Sequence, residues 1–338
     1  MKHFAAGLTG LIALCLVLGV LPLYAAGSAP DTPGCLHFEG DPVTISADYG
    51  EEGPYSMTYE QFENTAWTVA AGGTKVTVFY PKGLSSPAPV LFWAHGFGGT
   101  NWTGVRSLIT HMVSRGFVVV HSPYPSSGTD VPGRYQIMWN GFQMAAERYA
   151  SKMNLKKVGF LGHSFGGGAV PAMAWKALNE QGWGTQGVFL FMLAPWYVYN
   201  MTDAQLASFP ARTKMVIQVY NEDTVNDHRM AVDIFNSTTS IPLSEKAYYN
   251  GVPGAVEPVD HTVPSDREVN ELDHLLVRRS LDALIDYSFT ISDPCGGKSF
   301  AVDGQGDRFQ HTVTKNPSPV AAESTYQWPW SSYSNPRR

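Results

Sequence analysis

The chain has 338 residues, 44% hydrophobic and 15% charged, with 29 acidic against 23 basic side chains and a formal charge of −6. That balance excludes a largely disordered protein. It also gives no basic patch to follow a phosphate backbone, so nucleic acid is not an expected partner.

The first residues read as a leader. Lys2 and His3 precede an apolar run from Phe4 to Leu21, and Pro22 is followed by the small residues Ala25 to Ala29. This is the three-part pattern of a secretory signal peptide over 1–29. A retained anchor is the alternative, because the run is about as long as a bilayer requires. No second run matches it, so no stable membrane insertion is expected once the leader is removed, and the protein is expected to be secreted or periplasmic. Removal leaves two cysteines, Cys35 and Cys295, which an oxidising compartment would pair. Residues 30–295 then form one domain with room for a large core.

Residues 30–56, rich in Gly, Pro and Asp, read as an extended lead-in. Alternation over Thr74–Tyr80 predicts a strand closed by Pro81. The apolar run Val90–Ala94 predicts a strand covered on both faces, with His95-Gly96-Phe97-Gly98-Gly99 at its end. A helix is expected from about Trp102 to Arg115, stopped by Gly116. A strand follows over Phe117–Val120, then a Pro/Ser/Gly loop and a helix over 138–153. The strand Lys157–Leu161 leads into Gly162-His163-Ser164-Phe165-Gly166 and another helical stretch. Further strands are expected at Val188–Leu193, Met215–Tyr220 and near Lys246–Tyr249, and a last helix over 268–288. Alternating strands and helices predict an α/β class with a mostly parallel sheet and helices on both faces. Residues 296–338, rich in Gly, Ser, Pro and Asn, read as a flexible C-terminal tail. Its Trp328, Trp330 and Tyr333 are either incidental or a sugar- or surface-binding patch.

G-x-S-x-G between a strand and a helix matches the nucleophile elbow of an α/β-hydrolase, with Ser164 the expected nucleophile and a glycine-rich turn around an idle serine the alternative. Glycines at 162 and 166 remove side chains that so tight a turn would crush. A serine hydroxyl needs a base, an acid to orient that base, and donors for the oxyanion. In this architecture the acid and then the base follow the serine in the chain. Asp223, three residues past the strand ending at Tyr220, is the expected acid. Asp227 is the fallback, able instead to cap the next helix, and Glu222 is expected to point away. His261, in a loop, is the expected base. His274 competes from within the helical pattern, His228 follows the acid too closely, and His163 is expected to pack beside the nucleophile. The N–H groups of Phe97 and Phe165 are the expected oxyanion donors. No metal-ligand spacing occurs, and no cofactor is expected.

Over roughly residues 70–290 these motifs, with Arg115-Gly116-Phe117-Val118-Val119 and Ala194-Pro195-Trp196, resemble the α/β-hydrolase superfamily. Within it the chain is similar to the dienelactone-hydrolase-like, chlorophyllase-like and cutinase-like polyester-hydrolase group. The resemblance implies a carboxylic ester hydrolase acting on a small ester or a polyester. It carries the acid and base onto Asp223 and His261, and it makes Trp196 a substrate contact or, equally, a structural residue. The chain departs from the group in its long Gly251–Asp260 segment and in the Cys35–Cys295 pairing. Binding without turnover, acyl transfer and amide cleavage are alternatives on the same scaffold.

Overall fold

A computed structural model describes residues 49–67, 75–252, 258–267, 269–289, 310–314, 317 and 326–337. The leader, Cys35 and Cys295 lie outside these residues. Within them, no helix is long and apolar enough to cross a membrane.

The described strands are β1 (Met57–Phe62), β2 (Val76–Pro81), β3 (Ala88–Ala94), β4 (Val118–His121), β5 (Met153–His163), β6 (Gly187–Leu193), β7 (Lys214–Tyr220), β8 (Lys246–Val252) and β9 (Gln310–Thr314). The described helices are α1 (Arg106–Ser114), α2 (Val131–Arg148), α3 (Phe165–Asn179), the single turn α4 (Asp203–Leu206), α5 (His228–Ser237) and α6 (Arg279–Phe289). The strands form one sheet in the order β1-β2-β4-β3-β5-β6-β7-β8-β9. Pairing is parallel from β4 through β8. It is antiparallel where β1, β2 and β9 join. The fold is therefore α/β with a mostly parallel sheet.

The continuous apolar runs have the expected cause. Along β3, Val90 and Phe92 enter one core with α2, α3 and α5, while Leu91 and Trp93 enter a second core with α1 and α6. β6 divides the same way, Leu190 and Met192 against Phe189 and Phe191. A strand buried on both faces has no polar side to display. Phe92 stacks on Phe160 at 5.1 Å and on Trp183 at 5.2 Å. A fully buried side chain of this kind contributes about 1.5–3 kcal/mol.

The strand order fixes where a ligand can sit. From β3 the chain crosses by α1 to β4 on one side, then by α2 to β5 on the other. The order therefore reverses at β3, and a crevice opens between the carboxyl ends of β3 and β5. The His95–Gly99 loop and Ser164 leave the sheet at these two ends.

Several expectations need correction. The helix expected at 102–115 opens as a 3-10 turn, Trp102–Val105, before α1. The helix expected at 138–153 runs from 131 to 148 instead. Asp130 caps it by accepting the Gly133 N–H at 2.8 Å, and Pro132 sits in its first turn. Proline is harmless there, because first-turn N–H groups have no intrahelical acceptor. Met153 belongs to β5, opposite Ala88. The last helix begins with a π-helical segment, Asp273–Arg278. The flexible tail expected at 296–338 contains β9 on the edge of the sheet and a folded stretch at 326–337. These attach through long-range backbone pairing, which leaves no hydrophobic period to read.

Candidate active site

Ser164 joins β5 to α3 with φ 55° and ψ −119°, a backbone conformation strained for any residue but glycine. Three main-chain bonds hold it there. Its N–H donates to Leu193 O at 2.9 Å, and its carbonyl accepts from Gly168 N at 3.0 Å and Trp196 N at 2.8 Å. The flanking glycines are steric necessities. A Cβ on Gly162 would stand 2.5 Å from Gly166 O, and one on Gly166 would meet the Ala94 carbonyl.

The structure brings Ser164, Asp223 and His261 into one hydrogen-bonded chain. His261 Nδ1 lies 2.8 Å from Asp223 Oδ2, and His261 Nε2 lies 2.9 Å from Ser164 Oγ. A carboxylate only accepts, so Nδ1 carries the proton and Nε2 is left to accept from the serine hydroxyl. Asp223 is 1% exposed. Its other oxygen accepts the N–H groups of Val225 at 2.7 Å and Asn226 at 3.2 Å. A buried carboxyl group bonded in this way is held in a fixed orientation.

The competing residues occupy other posts. Asp227 caps α5, pairs with the Arg229 guanidinium, and accepts the Trp330 N–H at 2.8 Å. Glu222 exchanges two bonds with Val259: its carboxylate accepts the Val259 N–H at 2.8 Å, and its own N–H donates to Val259 O at 3.0 Å. It therefore anchors the loop that carries His261. Asp260 tightens that loop by accepting the Thr262 N–H at 2.7 Å. His274 faces Glu51 at 3.9 Å. His228 donates from Nε2 to Tyr220 O at 2.9 Å, beneath the acid loop. His163 packs beside the Ser164–His261 pair, donating from Nε2 to His261 O at 2.8 Å with ring centroids 4.7 Å apart. Burial, then the adjacent His261, pushes the His163 imidazole well below its ordinary 6.5, so it stays neutral.

The loop after β3 is held from its carbonyl side. His95 donates from Nδ1 to Gly96 O at 2.7 Å, and the Gly99 N–H reaches the same oxygen at 3.0 Å. His95 Nε2 accepts the Tyr124 N–H at 3.2 Å, and the two rings stack at 4.0 Å. Burial lowers the His95 pKa to about 4, so both bonds survive near neutrality. A trans peptide is planar, so fixing Gly96 O also fixes the Phe97 N–H, which points the opposite way within that plane. The Phe165 N–H is the first of α3, one of the donors a helix leaves without an intrahelical acceptor. The positive end of the α3 dipole lies at the same point.

Ser164, His261, Phe97, Phe165 and Trp196 share one cleft of about 680 Å³. The Trp196 ring stacks on Phe165 at 5.8 Å and on Tyr199 at 5.3 Å, so it is both a packed residue and a cleft wall.

Two contributors, Asn226 and Gln327, carry no sequence signal of their own. Asn226, 3% exposed, donates from Nδ2 to Ser164 Oγ at 3.3 Å and to Ala194 O at 2.9 Å. Gln327 and Trp328 also line the cleft, from the stretch expected to be tail. That stretch pairs with the acid loop: Gln327 N donates to Thr224 O at 2.6 Å, Trp328 N to Val225 O at 2.8 Å, and Asp227 N to Trp328 O at 3.1 Å. Trp330 stacks on Tyr197 at 5.4 Å, whereas Tyr333 is fully exposed. Three aromatics within six residues of a polar stretch were the signal available.

Among the described residues no group of three or more His, Cys, Asp or Glu side chains is placed to hold a metal ion. No known family profile matches the chain, and no curated protein matches it.

Proposed function

We propose that the protein is an exported serine hydrolase of the α/β-hydrolase fold that cleaves carboxylic esters. One observation carries the reading: His261 bridges a buried carboxylate at 2.8 Å and a strained serine hydroxyl at 2.9 Å. The elbow, the reversal of strand order beside it and the order Ser, Asp, His along the chain support the fold assignment. Export rests on the leader sequence.

The chemistry follows from these positions. Ser164 Oγ attacks the ester carbonyl carbon while its proton passes to His261 Nε2. Asp223 stabilises the imidazolium and keeps its orientation. The N–H groups of Phe97 and Phe165 receive the negative oxygen of the tetrahedral intermediate. His261 returns the proton to the leaving alkoxy oxygen, and an alcohol departs. Water then gives a proton to His261 and attacks the acyl-enzyme, releasing the carboxylic acid and regenerating Ser164.

Apolar walls from Phe97, Phe165 and Trp196 support an ester with an apolar group. The short His261–Ser164 contact favours turnover over binding alone.

The test is p-nitrophenyl butyrate hydrolysis together with labelling by a fluorophosphonate. The wild-type protein should turn over the ester and take the label on Ser164, and Ser164→Ala should do neither. Turnover that persists in Ser164→Ala would overturn the assignment.

A further inference from the structure

We propose that the segment 326–330 is a working part of the cleft, and that Trp328 is a specificity-determining wall for the bulky, flat, apolar group of an ester. The inference rests on the esterase reading above and names the substrate feature that the site selects.

Trp328 is 48% exposed, yet it lines the same cleft as Ser164 and His261. Its ring meets Trp196 edge-on, centroids 5.9 Å apart at 75°. That contact leaves much of the indole open to the cleft. Phe97, 60% exposed, is a second open ring in the same cleft, with the Arg134 guanidinium 5.3 Å from its centroid. Large aromatic side chains left open in a concave site offer apolar area and ring edges to a flat ligand.

Placement of the ring is not incidental. The segment is fixed on both sides of Trp328. Its backbone forms a parallel bridge with Asn226, the residue whose side chain touches Ser164 Oγ. Beyond it, Asp227 holds the Trp330 N–H at 2.8 Å, and Tyr197 bonds to Pro329 O at 3.2 Å and to Ser331 N at 3.0 Å. Further along, Arg337 donates to Asp203 at 2.8 Å and also binds Asp233. With the backbone held on both sides and the ring resting against Trp196, Trp328 has less freedom to lose when a ligand arrives, which is the condition for selective contact.

The experiment measures kcat/KM for 4-nitrophenyl benzoate and 4-nitrophenyl acetate in the full-length protein. Trp328→Ala should lower the benzoate-to-acetate ratio by about tenfold, mostly through KM for the benzoate. Trp328→Phe should recover most of the ratio, because a flat ring is restored. A small phosphorylating probe, diisopropyl fluorophosphate, should still label Ser164 in both variants, showing that each is folded. An unchanged ratio, or equal losses on both esters, would overturn the inference and leave Trp328 as a brace for the acid loop. If Trp328→Ala fails to label, the ratio in Trp328→Phe against Trp328→Leu decides: equal ratios overturn the inference, and a higher one for Phe supports it. Failure of the wild-type protein to hydrolyse either ester would strike the esterase reading itself.

Discussion

A methyl group on Gly166 would stand 1.9 Å from the carbonyl oxygen of Ala94. Gly166 lies in the first turn of α3, and Ala94 ends β3 one residue before His95. The two loops that meet at the cleft are thus packed backbone to backbone. Gly166→Ala should push them apart, destabilising the fold by about 1–3 kcal/mol and abolishing fluorophosphonate labelling. Urea denaturation and labelling of the folded fraction check this. Normal labelling would show that the contact relaxes freely.

The two aspartates of the acid loop should separate cleanly. Asp223→Asn leaves the shape intact but removes the charge that His261 Nδ1–H faces, so kcat should fall about 10⁴-fold. Asp227→Ala removes a helix cap, the Arg229 partner and the acceptor of the Trp330 N–H, and should cost about 2–4 kcal/mol of stability. Its loss of kcat should be at least about a hundredfold smaller than that of Asp223→Asn. Comparable losses of kcat would mean that the hydrogen-bond geometry does not identify the acid.

Glu222 should behave as a positioning residue. Its carboxylate holds the Val259 N–H, two residues before His261. Glu222→Ala should lower kcat about threefold to tenfold, and Glu222→Gln, which can still accept that bond, should recover most of the loss. Butyrate ester kinetics read the difference. Equal kcat for the two variants would show that the bond does not set the histidine.

Acid should unfold the protein through its buried imidazoles. Burial lowers His95 to about 4; burial, then the neighbouring His95, lowers His121 to about 3. Their ordinary value is 6.5, so below that pH the unfolded chain binds protons that the folded one refuses. Their contribution is fully present above about pH 6.5, and each group removes up to ~1.4 kcal/mol per pH unit below it. The loss continues to about pH 4 for His95 and about pH 3 for His121. Urea midpoints at pH 7.5, 6.0 and 4.5 should fall steadily, and His121→Phe should flatten the slope. A midpoint that does not move between pH 7.5 and 4.5 would sink the prediction.

The parts legible in the sequence share a physical origin. β3 and β6 are continuous apolar runs because both faces are covered, and Gly162 and Gly166 flank Ser164 because no Cβ fits at either position. Asp223 and His261 follow from chain order and from their places in loops beyond strands. The rest is set by contacts that leave no local trace. Pro132 looks like a breaker until Asp130 is seen to cap the helix around it. Asn226 is an ordinary loop residue until its amide reaches Ser164 Oγ. Trp328 enters the cleft through backbone bonds to Val225 and Asp227, which any sequence could make.

The bond between Trp196 and Ser164 runs from main-chain N–H to main-chain carbonyl. The residue at 196 therefore braces Ser164 through atoms that every amino acid except proline possesses. Its side chain, which forms a wall of the cleft, is not needed for that bracing. The two tasks are separable by mutation: a change at position 196 can alter what the cleft admits while the Ser164 backbone keeps its support. Under the proposed esterase reading, the lining at this position is free to change without loosening the elbow.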